Sequence, residues 1–489
     1  MLNRLLSRKK DTRVLVIGLD CASPHLIFDE FRAELPHFSR LMTNGTWGQL
    51  ESAIPCITVP AWSSMMTSRD AGALGIYGFR NRADYSYDHM TTADSTHVRH
   101  PRVWDILGVV GKLSTVLAVP QTYPINPING TMLSCFLTPN TQTTFTYPAI
   151  FKNEALRVAP AYAFDVKDFR TNDKVQLHQN LLHLRDVQRT NDKVQLHQNL
   201  LHLRDVQFRV LKHAIQHTKW DFLMHVDIAL DRIHHGFWRY HDPKHRLYDP
   251  NSPFINVIRD YYRLLDSQLG EILSLVGDDV AVMVVSDHGV KRMDGGICIN
   301  EWLWREGWLN FKNPPPEGVI TPFEALDVDW ARTRAWGAGG YYGRIFLNVA
   351  GREPQGIIPA DDFERVRDEL STAIMGITGA DSEALTHRVI RPQEVYAQVN
   401  GIPPDLMVYF GELSWRAVGS LGHGAHYTLE NDTGPDDANH DTQGMFILHH
   451  PHKKGRGCVS GENLLNIAPT LLEMMGVKIP EDMQGRIIP

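Results

Sequence analysis

The chain has few cysteines, no long apolar run and no excess of basic charge, and each shortage argues against a class of protein. Five cysteines (Cys21, Cys56, Cys135, Cys298 and Cys458) are scattered through 489 residues, odd in number and without CxxC spacing. That pattern argues against a disulfide framework and a thiolate zinc cluster, and it fits a reducing compartment. No stretch approaches the roughly 20 apolar residues that span a bilayer, and the basic start MLNRLLSRKK lacks the apolar core of a signal sequence. A cytoplasmic location is therefore expected. Lys and Arg total 49 against 56 Asp and Glu, so the chain carries no nucleic-acid-binding signature. Any affinity for phosphate must be local.

What is present reads as a large α/β protein. Residues Arg13 to Asp20, RVLVIGLD, form a continuous apolar run ending in an acid, as a strand buried on both faces of a parallel sheet should. Similar runs occur at Trp220 to Ile228, Asp279 to Gly289 and Gly444 to His450. Helices are predicted at Pro60 to Thr67, Asp231 to Tyr240, Ile255 to Val276, Asp361 to Met375 and near Glu462 to Met475. Strands alternating with helices predict a doubly wound, mostly parallel central sheet in one domain over residues 12–489. Two regions rich in Pro, Gly, Thr and aromatics, 81–207 and 310–421, are expected to be cap insertions. Inside the first, RTNDKVQLHQNLLHLRDVQ at Arg170 to Gln188 recurs unchanged at Arg189 to Gln207. Two copies are too few for a repeat fold. A 19-residue step turns a helix by about 100°, so one continuous helix cannot keep both copies on one face. One copy is expected to pack, the other to be looped out or to extend the helix. No chemistry is assigned to His178, His183, His197 or His202.

Five distant segments carry residue types suited to a two-metal phosphoryl-transfer site. Asp20 ends a strand, at the sheet edge where α/β proteins bind ligands. Thr58 in PCITVP precedes a helix N-terminus, which favours an anion. Asp231 and His235 in DRIHH lie four residues apart, on one face of a helix. Asp287 and His288 in SDHG follow an apolar strand, and His440 in ANHDTQG adds a last ligand. Each piece alone is common; the set in this order is not.

The order and wording of these segments resemble the alkaline phosphatase superfamily, in particular its type I phosphodiesterase/nucleotide pyrophosphatase branch. The resemblance runs from VLVIGLD and ELPHFSRLMTNGTWGQLESAIPCITVPAWSSMMTS through LDRIHHGFWRYHDPKH and VVSDHG to NDTGPDDANHDTQGMFIL and IAPTLLEMMGVKIPEDMQGR. It implies an alkaline-phosphatase-like fold, with Thr58 as nucleophile and metal ligand. It also implies Asp20, Asp287 and His288 around the metal beside Thr58, and Asp231, His235 and His440 around the other. Two divalent ions about 4 Å apart, zinc by the mixed Asp/His donors with manganese as the alternative, would clamp the attacking and leaving oxygens. The expected activity is hydrolysis of a small phosphorylated substrate, a phosphomonoester or phosphodiester, through a phospho-threonine intermediate. A phosphomutase would use the same site, and a catalytically inactive binding member is the reading from another class. Cys56 is not expected to be a nucleophile, because CITVP lacks the C/S-x-P-x-R context of sulfatases, and Cys21 is read as packing. His423 is the main rival to His440. His234 is read as an outer neighbour, and Arg69, Asn81 and Arg82 as either phosphate contacts or structural polar groups.

Overall fold

The computed structural model describes residues 12–166, 187–316, 318–430 and 436–489. Eight strands form the body of the central sheet: β1 (Arg13–Leu19), β2 (Thr46–Glu51), β3 (Ser114–Leu117), β4 (Gly130–Leu133), β5 (Thr146–Tyr147), β6 (Phe222–Asp227), β7 (Val280–Val285) and β8 (Gln443–His449). Their spatial order is β2-β8-β7-β1-β6-β3-β4-β5, with the short strands Gly457–Cys458 and Glu462–Asn463 paired to β2. The β7-β1-β6-β3-β4 core is parallel, whereas β8 runs antiparallel to both β7 and β2. The predicted mostly parallel sheet is therefore present, with one reversed strand inside it.

β1 shows why the sheet is covered on both sides. Leu15, Ile17 and Leu19 enter one apolar cluster and Val14 and Val16 the other, as the two-residue period of a strand requires. Helices α1 (Pro36–Asn44), α3 (Val187–His217), α4 (Ala229–His241) and α5 (Val257–Val276) supply the first cluster. Helices α2 (Thr58–Thr67) and α6 (Ile467–Met474) supply the second.

The predicted helices are all found, with shifted ends. α2 begins at Thr58 rather than Pro60, because Pro60 sits in the first turn, where its missing N–H costs nothing. Glu462 and Asn463 pair with β2 instead of starting the last helix, which begins only after a 3-10 turn at Leu464–Asn466.

Part of the region expected to be the first cap, 81–207, lies in the sheet: β3, β4 and β5 all come from it. Their short, mixed runs do not stand out in sequence as β1 does. The region 310–421 contains a separate antiparallel sheet of Ala335–Ala338, Gly343–Leu347, Leu406–Tyr409 and Arg388–Ile390 in that order, over a core that includes Ile345, Leu347, Leu370 and Val408. This unit leans on the approach to Thr58, where Tyr409 Oη accepts from the Cys56 amide at 3.3 Å and Tyr396 Oη donates to the Ile54 carbonyl.

Of the duplicated segment, the second copy lies in α3. Lys193, Leu200, Leu203, Arg204 and Gln207 are buried along one face at helical spacing. The expectation for the first copy falls almost entirely on residues 167–186, outside the described residues.

Candidate active site

Asp20, Thr58, Asp231, His235, Asp287, His288 and His440 meet at the C-terminal edge of the parallel strands, and all are buried. β1 delivers Asp20, whose Oδ2 accepts a 2.7 Å hydrogen bond from Trp62 Nε1. Trp62 is one helical turn beyond Thr58 on α2, so one helix positions both the hydroxyl and the group that orients the carboxylate. Gly18 makes this approach possible, since a Cβ there would lie 2.6 Å from the Trp62 ring. Thr58 Oγ1 sits 3.5 Å from Asp20 Oδ1 and 3.3 Å from His288 Nε2. It is the first residue of α2, whose N-cap, Ile57, provides no side-chain bond, leaving N–H groups that favour an anion.

The three histidines share one device. His288 Nδ1 lies 3.1 Å from the Gly289 carbonyl, His440 Nδ1 2.8 Å from the Cys56 carbonyl, and His235 Nδ1 2.9 Å from the Ala438 carbonyl and 2.7 Å from Asp436 Oδ1. An acceptor at Nδ1 requires the proton there, which leaves each Nε2 lone pair directed inward. His288 Nε2 is 3.2 Å from Asp287 Oδ2 and 3.7 Å from Asp20 Oδ1. Asp231 Oδ1 is 3.0 Å from His235 Nε2 and 3.8 Å from His440 Nε2. A two-stranded ribbon, Gly289–Arg292 against Ala438–Asp441 with Val290 opposite His440, brings the last histidine to the others. It leaves the His288 and His440 rings stacked 3.8 Å apart.

The donors fit cations. Asp20, Asp287 and His288 form one group whose ligand atoms lie within 4.8 Å of one another; Asp231, His288 and His440 form a second, and Cys21, Asp231 and His235 a third. Asp231 Oδ1, His235 Nε2 and Asp287 Oδ2 are buried without a hydrogen-bond partner, which is costly unless an ion satisfies them. Their electrostatics agree. Burial, reinforced by the Asp231 charge, pushes Asp20 well above the usual carboxylate range, and burial next to Asp20 does the same to Asp287. Burial would raise Asp231 too, but His235 and Arg232 hold it well below. Burial disfavours a charged His235, yet Asp231 and Asp436 raise it to about 9. Burial lowers His288 to about 4 and, with the neighbouring His288 and His235, takes His440 well below the ordinary value. Three carboxyls in one buried pocket cannot all ionise without added positive charge.

His423, the rival ligand, stands elsewhere, with Nε2 3.0 Å from Ser420 Oγ, and among the described residues it joins no donor group. Arg69 pairs with Asp482, Arg82 with Glu353 at 3.1 Å, and the Asn81 side chain bonds the Tyr77 amide and the Gly78 carbonyl. These residues do structural work. His234 packs against Trp238 and Tyr262.

Several participants were not found by sequence reasoning. Arg232 donates to Asp231 Oδ2 at 2.6 Å and to Asp165 at 2.7 Å. Tyr341 donates to Asp436 Oδ2 at 3.0 Å and stacks on His235. The adjacency of Arg232 to Asp231, the four-residue step from Asp436 to His440 and the helical step from Thr58 to Trp62 were available signals. For Tyr341 there was none.

The sequence model of the family "Type I phosphodiesterase / nucleotide pyrophosphatase" matches residues 14–436. No curated protein matches the chain. Among solved structures, the chain is similar to murine ectonucleotide pyrophosphatase/phosphodiesterase 5 in complex with AMP, at 14% identity and TM-score 0.54, covering 96% of this chain and 97% of that one. It is also similar to phosphonoacetate hydrolase from Sinorhizobium meliloti 1021 in complex with phosphonoformate, at 15% identity and TM-score 0.56, covering 95% and 96%. The human form of the first protein aligns at 13% identity and TM-score 0.53, over 96% of each chain.

Proposed function

The chain belongs to the type I phosphodiesterase/nucleotide pyrophosphatase family, a family of metal-dependent hydrolases acting on phosphoric ester bonds, and on that premise we propose that it cleaves a phosphomonoester or phosphodiester through a phospho-threonine intermediate at Thr58. The observation that carries this reading is the place of Thr58 Oγ1, at the start of α2 and within 3.5 Å of Asp20 and His288.

Asp20, Asp287 and His288 would hold one divalent cation beside Thr58, and Asp231, His235 and His440 a second. Mixed carboxylate and imidazole donors suit zinc, with manganese second. Bound cations lower the pKa of hydroxyl and water and neutralise charge on the transferring group. Thr58 Oγ1 would attack phosphorus, giving up its proton, as the bond to the leaving alcohol breaks; water would then free Thr58, releasing phosphate from a monoester or the remaining phosphomonoester from a diester. The free N–H groups of the α2 start receive phosphoryl oxygens, and Trp62 keeps Asp20 Oδ1 facing the hydroxyl. The AMP and phosphonoformate held by the two neighbours support a small phosphorylated substrate. Buried, unpaired Cys21, Cys56, Cys135 and Cys298 support a cytoplasmic setting, and no helix among the described residues is long and apolar enough to cross a membrane.

The test is turnover of p-nitrophenyl phosphate and bis-p-nitrophenyl phosphate with and without chelator, alongside metal content. Thr58→Ala is expected to lower turnover roughly a thousandfold or more with metal content nearly unchanged. Near wild-type activity in that variant would sink the assignment.

A further inference from the structure

We infer that Cys21 supplies a sulfur donor to the cation held by Asp231 and His235, making that position chemically softer than the one beside Thr58; the inference rests on the two-cation reading above. Cys21 directly follows Asp20 and is fully buried. Cys21 lies in the same apolar cluster as Leu15, Ile17 and Leu19, and its φ of 66° falls in the left-handed region where residues with side chains are uncommon. The Cys21 Sγ lies with an Asp231 oxygen and a His235 nitrogen, all within 4.8 Å of one another.

A second observation points the same way. Asp231 Oδ1 and His235 Nε2, the atoms facing this space, are buried and lack hydrogen-bond partners. They stand 3.0 Å from each other, and a cation between them would take a lone pair from each. The thiol makes a weak 3.4 Å hydrogen bond to the Gly289 carbonyl, which a cation could replace. On binding, the thiol proton passes to solvent and the thiolate becomes the ligand. With His440 the donor set becomes one sulfur, two imidazoles and one carboxylate, suited to zinc, cadmium or cobalt over manganese. The group of Asp20, Asp287 and His288 contains only oxygen and nitrogen donors and lacks that bias.

The experiment titrates the metal-free, full-length protein with Co²⁺ and follows the near-ultraviolet spectrum, where a thiolate–cobalt charge-transfer band reports the Cys21 contact. The band is expected to grow with the first equivalent in wild type. It should be absent in Cys21→Gly and Cys21→Ser, which still bind Co²⁺, and retained in Cys56→Ser. Glycine suits the φ of 66°, so Cys21→Gly keeps the fold even if serine does not. Calorimetry on Cys21→Ser should show the Cd²⁺-to-Mn²⁺ affinity ratio falling roughly tenfold or more, at least the loss that follows removal of a ligand's outer partner. Cobalt binding without a sulfur band in wild type, or a band that survives in Cys21→Gly, overturns the Cys21 assignment alone. Failure of wild type to bind Co²⁺ overturns the two-cation reading with it.

Discussion

At the scale of single residues, the histidine tautomers are set by what stands behind each ring. For His235 that partner is Asp436, itself held by Tyr341. Asp436→Asn keeps the shape and removes the charge, so it is expected to weaken cation binding about 10- to 100-fold, as measured by calorimetry on metal-free protein. An unchanged affinity would mean that the Ala438 carbonyl alone fixes the ring. Gly18 offers a steric test. In Gly18→Ala the new Cβ meets the Trp62 ring at 2.6 Å and Val226 at 2.7 Å, so a loss of about 1–3 kcal/mol is expected in chemical denaturation. Turnover should also drop, because Trp62 shifts from Asp20. The residues that gather here were legible because each belongs to a short recognisable segment, Asp20 and Asp287 just beyond a strand and Thr58 at a helix start. Tyr341 was not, since its role depends on a contact with Asp436, 95 residues away, that nothing local encodes.

At the scale of elements, apolar runs such as β1 and β7 could be read directly because both faces are buried. β3 to β5 were assigned to a cap because they are short and carry threonines and a glycine where an unbroken apolar run was sought. The duplicated segment yields a cleaner test. Removing either 19-residue copy yields the same protein, with Lys193, Leu200, Leu203 and Arg204 still directly preceding the rest of α3. The deletion is expected to leave both stability and turnover nearly unchanged. Calorimetric melting and the ester assays check both, and loss of soluble expression would show that the two copies are needed together.

At the scale of the whole molecule, the site holds more buried acid than it can ionise alone. Burial raises the pKa of Asp20 and Asp287 in the cation-free fold, so at these two carboxyls the folded state binds more protons than the unfolded one. Their contribution to cation-free stability therefore falls as pH rises above the ordinary carboxylate range. Cations must displace those protons, so their affinity rises with pH. The melting temperature gap between metal-loaded and chelator-treated protein is expected to widen from about pH 5 to about pH 8. At a cation concentration 100 times Kd the gain is about 2.7 kcal/mol per site. A gap independent of pH would mean that Asp20 and Asp287 are not the groups being displaced.

The ribbon that sets Val290 opposite His440 has a further consequence. It fastens His288, from one cation group, to His440, from the other, through backbone hydrogen bonds whose repeat is a constant of peptide geometry. The separate antiparallel sheet within 335–409 takes no part in that ribbon, so the spacing of the two rings is set without it.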